Sequence, residues 1–194
     1  ELALDKVEVQ LLVGMLEDRP EIAYLDDLGD ELCIKLNPEY VREEKELPRL
    51  SQEDADVICA KHVLWLHDAG GAQADFSGYD LSGLDLSHRN LNNAVFTGAR
   101  MYETNLAQAE LCFSDFTDAT LFSCELRGIT AEEASFKKAV VDGCTFRGAI
   151  FTHSNFSGAL FQNCRVEYSD WTNCCIDGTV FQRTHMGQAK MIHV

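Results

Sequence analysis

The stretch ADFSGYDLSGLDLSHRNLNNAVF, residues 74–96, places a large apolar residue at every fifth position. The apolar residues of this stretch are Phe76, Leu81, Leu86, Leu91 and Phe96. A helix repeats its apolar face about every 3.6 residues and a strand about every 2, so neither element produces this spacing. The spacing therefore predicts a backbone that turns regularly, with one short segment and one turn in each group of five residues.

This five-residue register continues without a break from Phe76 to Met191, which gives 24 successive centres. Every centre is a large apolar residue except Ala131. The residue two positions before each centre is usually small, as at Ala74 and Ala94, and the remaining positions are mostly polar with frequent glycine. We expect the centres and the small residues to point inward, and the polar and glycine positions to form the outer surface and its turns.

Residues 20 positions apart carry similar side chains, which predicts that four five-residue segments complete one turn. One column reads Phe76, Phe96, Phe116, Phe136, Phe156 and Ile176, and another reads Thr104, Cys124, Cys144, Cys164 and Thr184. Like residues stack well on neighbouring strands, which lie about 4.8 Å apart. A three-sided turn would mix these columns, so the sequence predicts an all-β solenoid with four sides and about six coils.

Residues 74–191 resemble the pentapeptide-repeat family, whose consensus is A(D/N)LXX. The resemblance is strongest in ADFSG, YDLSG, LDLSH and TNLAQ, and two dozen repeats in one register make it specific. It implies a right-handed quadrilateral β-helix, here assigned to residues 72–194, with the central residue and the residue two before it facing inward.

Residues 51–71 are predicted to form an N-terminal capping helix. Ser51 is a suitable N-cap, Asp54 completes a capping box, and Gly70 and Gly71 would end the helix. Its apolar residues lie on most sides, so we expect it to be buried. A solenoid also needs its open end covered against edge-to-edge association, which this helix would do.

Residues 1–50 are predicted to form a small acidic N-terminal domain, either α+β or helical. The segment EIAYLDDLGDELCIKL, residues 21–36, reads as two short strands around the turn DDLGD. The segment VEVQLLVGML, residues 7–16, is compatible with a strand or a helix.

The net charge of -16 is uneven, with -11 in residues 1–70 and -5 in residues 71–194. Such acidity argues against direct nucleic-acid binding, which needs Lys and Arg for phosphate contact. It permits a basic partner, although solubility alone explains a negative charge.

A cytoplasmic location without membrane contact is expected from several features. No apolar run approaches the roughly 18 residues that span a bilayer, and the opening residues lack the pattern of a signal peptide. The 8 cysteines contain no C-x-x-C pair and share repeat positions with Thr, Ser and Ala. They are therefore interpreted as small buried thiols in a reducing compartment rather than as disulfides or a metal site.

No catalytic residue, metal site or cofactor is predicted. The histidines are scattered without metal-ligand spacing, and no nucleophile or phosphate-binding motif occurs. Asp75, Asp80 and Asp85 each precede a centre, where the repeat consensus places an acidic or amide residue. The column Cys124, Cys144 and Cys164 could hold a soft metal, but buried filling of the core is the favoured interpretation.

One side of the predicted coil carries outward apolar residues, and these are the candidate partner-binding site. They are Tyr102, Phe122, Val140, Leu160 and Val180. Stacked at the strand spacing they would form a continuous apolar stripe, which is unusual on a soluble monomer. The stripe could bind a protein partner, a second copy in a homodimer, or the N-terminal domain of the same chain.

The predicted function is therefore a non-enzymatic protein–protein interaction module. The alternative is an acidic DNA mimic that binds a DNA-binding protein such as DNA gyrase, because some pentapeptide-repeat proteins confer fluoroquinolone resistance in this way. The modest charge of the coil and the absence of interrupting loops argue against that alternative. An enzyme within residues 1–50 and a secreted effector are further alternatives that the sequence leaves open.

Overall fold

A computed structural model describes residues 24–27, 32–35 and 46–194 of the chain. Near the N-terminus, strand β1 (Tyr24–Asp27) pairs in antiparallel fashion with strand β2 (Leu32–Lys35). This confirms the two strands predicted around DDLGD, whereas VEVQLLVGML lies outside the described residues. A separate compact unit comprises Leu47–Val194.

Five short parallel strands form one side of this second unit. They are β3 (Arg100–Tyr102), β4 (Thr120–Phe122), β5 (Val140–Asp142), β6 (Leu160–Gln162) and β7 (Val180–Gln182), in sequence order across the sheet. Each residue pairs with its counterpart 20 positions later, as Met101 pairs with Leu121. On the other three sides isolated parallel bridges repeat the same step, for example Asp75 with Val95. The predicted four-sided all-β solenoid is therefore confirmed.

The strands themselves span four complete turns of 20 residues. Isolated bridges extend the ladder to Asp75 at one end and to Lys190 at the other. The predicted count of about six coils is reached only if these bridged end segments are included.

The interior is filled by the columns that the sequence pattern assigns to it. The rings of Phe76, Phe96, Phe116, Phe136 and Phe156 are fully buried and form one continuous parallel stack. Successive centroids lie 5.1, 4.4, 4.7 and 5.0 Å apart. This spacing matches the separation of hydrogen-bonded strands, so each ring sits directly on its counterpart in the next turn.

Helix α1 (Gln52–Leu66) begins as predicted, with the Asp54 amide donating to Ser51 Oγ at 3.1 Å. The expectation that the helix is buried on most sides is wrong. Only Ala55, Cys59 and His62 are buried, and Ile58 packs half-buried against the core, whereas several other apolar side chains are exposed. The exposed ones are Val57, Val63, Leu64 and Trp65. Residues one turn apart share a face, so α1 contacts the solenoid along a single narrow stripe.

Residues before the repeats complete the edge of the first turn. The Asp80 amide donates to the Pro48 carbonyl at 2.9 Å, and the Leu50 amide donates to the Asp80 carbonyl at 3.0 Å. On the next side the Gln52 side chain takes the place of a strand. Its Nε2 donates to the Asp85 carbonyl at 3.0 Å and its Oε1 accepts from the Asp85 amide at 2.8 Å. Backbone groups that an open edge would leave unpaired are thereby satisfied.

Candidate protein-interaction surface

Each strand of the five-stranded sheet presents two outward side chains, one on either side of a central inward residue. The central residues Met101, Leu121, Val141 and Phe161 are fully buried. The first residues of the strands form one outward column, which reads Arg100, Thr120, Val140, Leu160 and Val180. The third residues form a second outward column, which reads Tyr102, Phe122, Asp142, Gln162 and Gln182.

The five predicted binding residues lie on this one face, but in two columns rather than one. Val140, Leu160 and Val180 belong to the first column, and Tyr102 and Phe122 belong to the second. The apolar surface therefore crosses the sheet diagonally, from an aromatic end to an aliphatic end. We call these five residues the diagonal surface.

The aromatic end of the diagonal surface is held in place by its neighbours. The Tyr102 and Phe122 rings meet edge to face, with centroids 5.7 Å apart, and are 38% and 47% exposed. The Arg100 guanidinium lies over the Tyr102 ring at 5.7 Å and bonds Asp80 at 3.0 Å. Such contacts fix the orientation of rings that water would otherwise surround.

The aliphatic end is bordered by polar side chains that bond to one another. Val180 is 45% exposed, and Leu160 beside it is half-buried. In the second column Gln162 Nε2 donates to Gln182 Oε1 at 2.7 Å. This bond joins the two amides along the second column, beside the aliphatic side chains of the first column.

Charged residues of opposite sign flank the diagonal surface. Lys137 and Lys138 are exposed at the corner before β5. Glu103 is exposed at the opposite corner, directly after Tyr102. The repeat pattern does not single out these charges, because turn positions are polar throughout the coil.

The cysteine column lies inside the solenoid, where its thiols bond to the backbone. Cys124 Sγ donates to the Met101 carbonyl at 3.1 Å, and Cys144 Sγ accepts from the Cys124 amide at 3.3 Å. Burial raises the pKa of Cys164 to about 11, which keeps that thiol neutral. The cysteines within residues 46–194 are all free thiols. In the part of the chain that the structure describes, no group of three His, Cys, Asp or Glu side chains could hold a metal ion.

The aspartates before the first centres stabilise the turns that follow them. Asp75 Oδ1 accepts from both the amide and the hydroxyl of Ser77, and Asp85 Oδ1 accepts from the Ser87 amide. These hydrogen bonds lower the pKa of both carboxyl groups. They are local turn contacts of a kind that Asp commonly makes two residues before its partner.

Across residues 24–27, 32–35 and 46–194, no helix combines the length and the apolar character needed to cross a bilayer.

Two family models match the solenoid. A model described as "Pentapeptide repeat region" matches residues 114–191, and one described as "Pentapeptide repeats (8 copies)" matches residues 80–118. The chain belongs to the pentapeptide-repeat family. No curated protein matches the chain.

Solved structures with the same fold include a pentapeptide-repeat protein, Rfr23, from the cyanobacterium Cyanothece 51142. The two chains are 17% identical with a TM-score of 0.56, over 64% of this chain and 95% of Rfr23. HetL from Nostoc sp. strain PCC 7120, involved in heterocyst differentiation regulation, is 20% identical with a TM-score of 0.28, over 56% of this chain and 68% of HetL. QnrB1, a plasmid-mediated fluoroquinolone resistance protein, is 19% identical with a TM-score of 0.34, over 61% of this chain and 67% of QnrB1. At 17% identity, the match to Rfr23 shows the fold of the solenoid alone.

Proposed function

We propose that this protein is a non-enzymatic protein–protein interaction module, in which a rigid β-helical rod presents the diagonal surface to a partner. The observation that supports the proposal best is the position of five apolar side chains on one flat face of a solenoid whose interior is already filled. Apolar residues that the core does not need, and that adjoin one another outside it, are typical of binding surfaces.

The rod suits this role because its binding face is preorganised. Backbone hydrogen bonds of about 2.7–3.1 Å join almost every segment to the next turn, as from the Thr120 amide to the Ala99 carbonyl at 2.9 Å. A face that does not rearrange loses little conformational entropy on binding. The partner is a protein or a second copy of this chain, in the cytoplasm, and we propose no direct contact with nucleic acid or membrane.

The proposal is tested by two variants that introduce the same residues into the same strands. In the test variant, Leu160→Glu is combined with Val180→Glu at the aliphatic end. In the matched control, Gln162→Glu is combined with Gln182→Glu, two positions along the same outward face. Both variants add two negative charges, but only the first removes apolar surface.

Affinity capture from the native cell extract, quantified against the wild-type protein, is the first measurement, and sedimentation equilibrium of the purified protein is the second. We expect the test variant to lose a captured protein or its self-association, and the control to keep it. The melting temperature of both variants should stay close to that of the wild type, because outward strand positions contribute little to stability. Equal capture and equal self-association by all three proteins would contradict the proposal.

A further inference from the structure

His62 couples helix α1 to the first turn of the solenoid through a buried imidazole. Its side chain is fully buried, and Nδ1 accepts a hydrogen bond from the Ala74 amide at 3.0 Å. The ring stacks on Trp65 with 5.5 Å between centroids. An Nδ1 that accepts a hydrogen bond carries no proton, so the imidazole is neutral and its proton is on Nε2.

We infer that α1 is an acid-releasable cap, in which protonation of His62 detaches the helix from the first turn. A second proton would have to occupy Nδ1, which already faces the N–H of Ala74 at hydrogen-bonding distance. Two donors would then point at each other in a buried site. The imidazolium is accommodated only when the ring leaves Ala74, and its departure removes one of the three buried side chains through which α1 packs on the solenoid.

Of the groups that face His62 from both sides of the junction, only the Asn92 carbonyl favours the charged imidazole. Within α1, Cys59 lies one turn earlier on the same buried face, and burial raises the pKa of its thiol, which stays neutral. Burial also lowers the pKa of His62 itself, although the Asn92 carbonyl on the solenoid opposes the shift.

The charged side chains at the junction have partners of their own. Asp56 pairs with Arg89 of the solenoid at 2.7 Å. Asp75, next to Ala74, accepts from the amide of Ser77 at 2.9 Å. Both carboxylates are thus already engaged by groups other than His62.

The direction of the pH effect follows from the lowered pKa. A histidine whose pKa is lower in the docked state binds fewer protons there than in the detached state. The docked state is therefore fully stable above the ordinary His pKa of about 6.5 and loses stability as the pH falls below it. The ratio of detached to docked helix should rise by up to about tenfold for each pH unit below that value, until the lowered pKa is reached.

The solenoid itself should not respond in this pH range. The carboxyl groups of Asp75, Asp80 and Asp85, which brace the first turn, have lowered pKa values and remain ionised above pH 5. Acid would thus uncover the end of the first turn, including the Ala74 amide, without unwinding the repeats.

Amide hydrogen exchange of the full chain between pH 7 and pH 5 tests the inference, with rates divided by those of the unfolded chain at the same pH. In the wild type we expect protection of α1 and Ala74 to fall as the pH drops, while protection of residues 115–135 stays constant. His62→Asn keeps an acceptor oxygen near the position of Nδ1 but cannot be protonated in this range. Its helix should be equally protected at both pH values, even if the lost ring stacking lowers protection overall.

His67→Asn is the matched control, because His67 is exposed at the end of the same helix. That variant should show the same pH dependence as the wild type. A wild-type helix whose protection does not change with pH would overturn the inference, as would a pH dependence that survives in His62→Asn or disappears in His67→Asn. As a second measurement, NMR titration should show the His62 ring changing charge only together with loss of α1 protection. A His62 that titrates near its ordinary pKa while the helix stays protected would equally overturn the inference.

Discussion

The ring of Phe136 lies parallel to the ring of Phe116, with 4.7 Å between the centroids and 1° between the planes. The two residues are 20 positions apart, and the same relation joins Phe136 to Phe156 at 5.0 Å. A stacked pair of this kind forms only if one full turn of backbone takes 20 residues. The spacing of the Phe column thus shows that one turn of the coil takes 20 residues, and its buried rings form a continuous column through the core.

Removal of one ring from this column should cost much of the stability of the rod. We expect Phe136→Ala to lower the free energy of unfolding by about 3–5 kcal/mol, because it leaves a cavity between two packed rings. The neighbouring exposed substitution Lys137→Ala should change it by less than about 0.5 kcal/mol. Denaturant unfolding of both variants gives the comparison, and equal effects would show that the inward register is wrong.

The Gln52 side chain should act as a replacement strand for the first turn. We expect Gln52→Ala to raise hydrogen exchange at the Asp85 amide about fivefold, since a typical net hydrogen bond contributes about 1 kcal/mol. Glu53→Ala, at the exposed neighbouring position, is the control and should leave that amide unchanged. If Asp85 exchanges equally fast in wild type and Gln52→Ala, the side chain does not pair with the edge in solution.

The rate at which each cysteine reacts with an alkylating reagent should depend on how exposed its thiol is. Among the cysteines of residues 46–194, the half-buried Cys112 and Cys175 should be modified first in the native protein. The buried thiols should react only on unfolding, and burial also raises the pKa of Cys174 to about 11, which lowers its thiolate fraction. Mass spectrometry of the partly alkylated protein identifies the sites, and rapid native labelling of Cys164 or Cys174 would contradict the inward assignment.

The protein should not act on DNA gyrase. The coil has a net charge of only -5, and basic side chains such as Arg127 and Arg147 are exposed on it. A surface with both signs of charge is a poor copy of the phosphate backbone. A supercoiling assay at micromolar protein should therefore show no inhibition and no relief of fluoroquinolone poisoning, and either effect would revive the DNA-mimic alternative.

Much of the fold was predictable because one physical rule repeats along residues 74–191. A large residue at every fifth position must face inward, so a register found in one segment predicts burial in all others. The column of Ala99, Ala119 and Ala139 is fully buried for the same reason. Even Ala131 is accommodated, because Ile129 beside it is also fully buried.

Features that do not repeat were harder to predict. Pairing of Pro48 and Leu50 with Asp80 leaves no trace in the repeat pattern, and nothing in the sequence marks Gln52 as a strand substitute. The apolar character of α1 predicted burial on most sides, but only Ala55, Cys59 and His62 are buried, with Ile58 partly buried beside them. The apolar composition of a helix indicates that it packs against another element. It does not indicate how much of the helix surface that element can cover.

The sequence predicted that the five residues of the candidate surface point outward on one side of the coil, but not that they lie in two columns. Residues before and after each centre both point outward, so the five side chains were expected to form one stack. The ladder instead places Phe122 opposite Asp142 and Val140 opposite Thr120 and Leu160. The 20-residue step already separates the two columns, because Val140, Leu160 and Val180 precede their centres whereas Tyr102 and Phe122 follow theirs.

The most direct test of the central claim is whether the aromatic end and the aliphatic end of the diagonal surface both contribute to binding of the same partner. Affinity for the captured partner, or for a second copy if the protein self-associates, is measured for Phe122→Ser, Leu160→Ser and the control Gln162→Ser. We predict that each of the first two weakens binding tenfold or more, equal to about 1.4 kcal/mol, and that the control does not. Binding that is unchanged by both Phe122→Ser and Leu160→Ser would contradict the account.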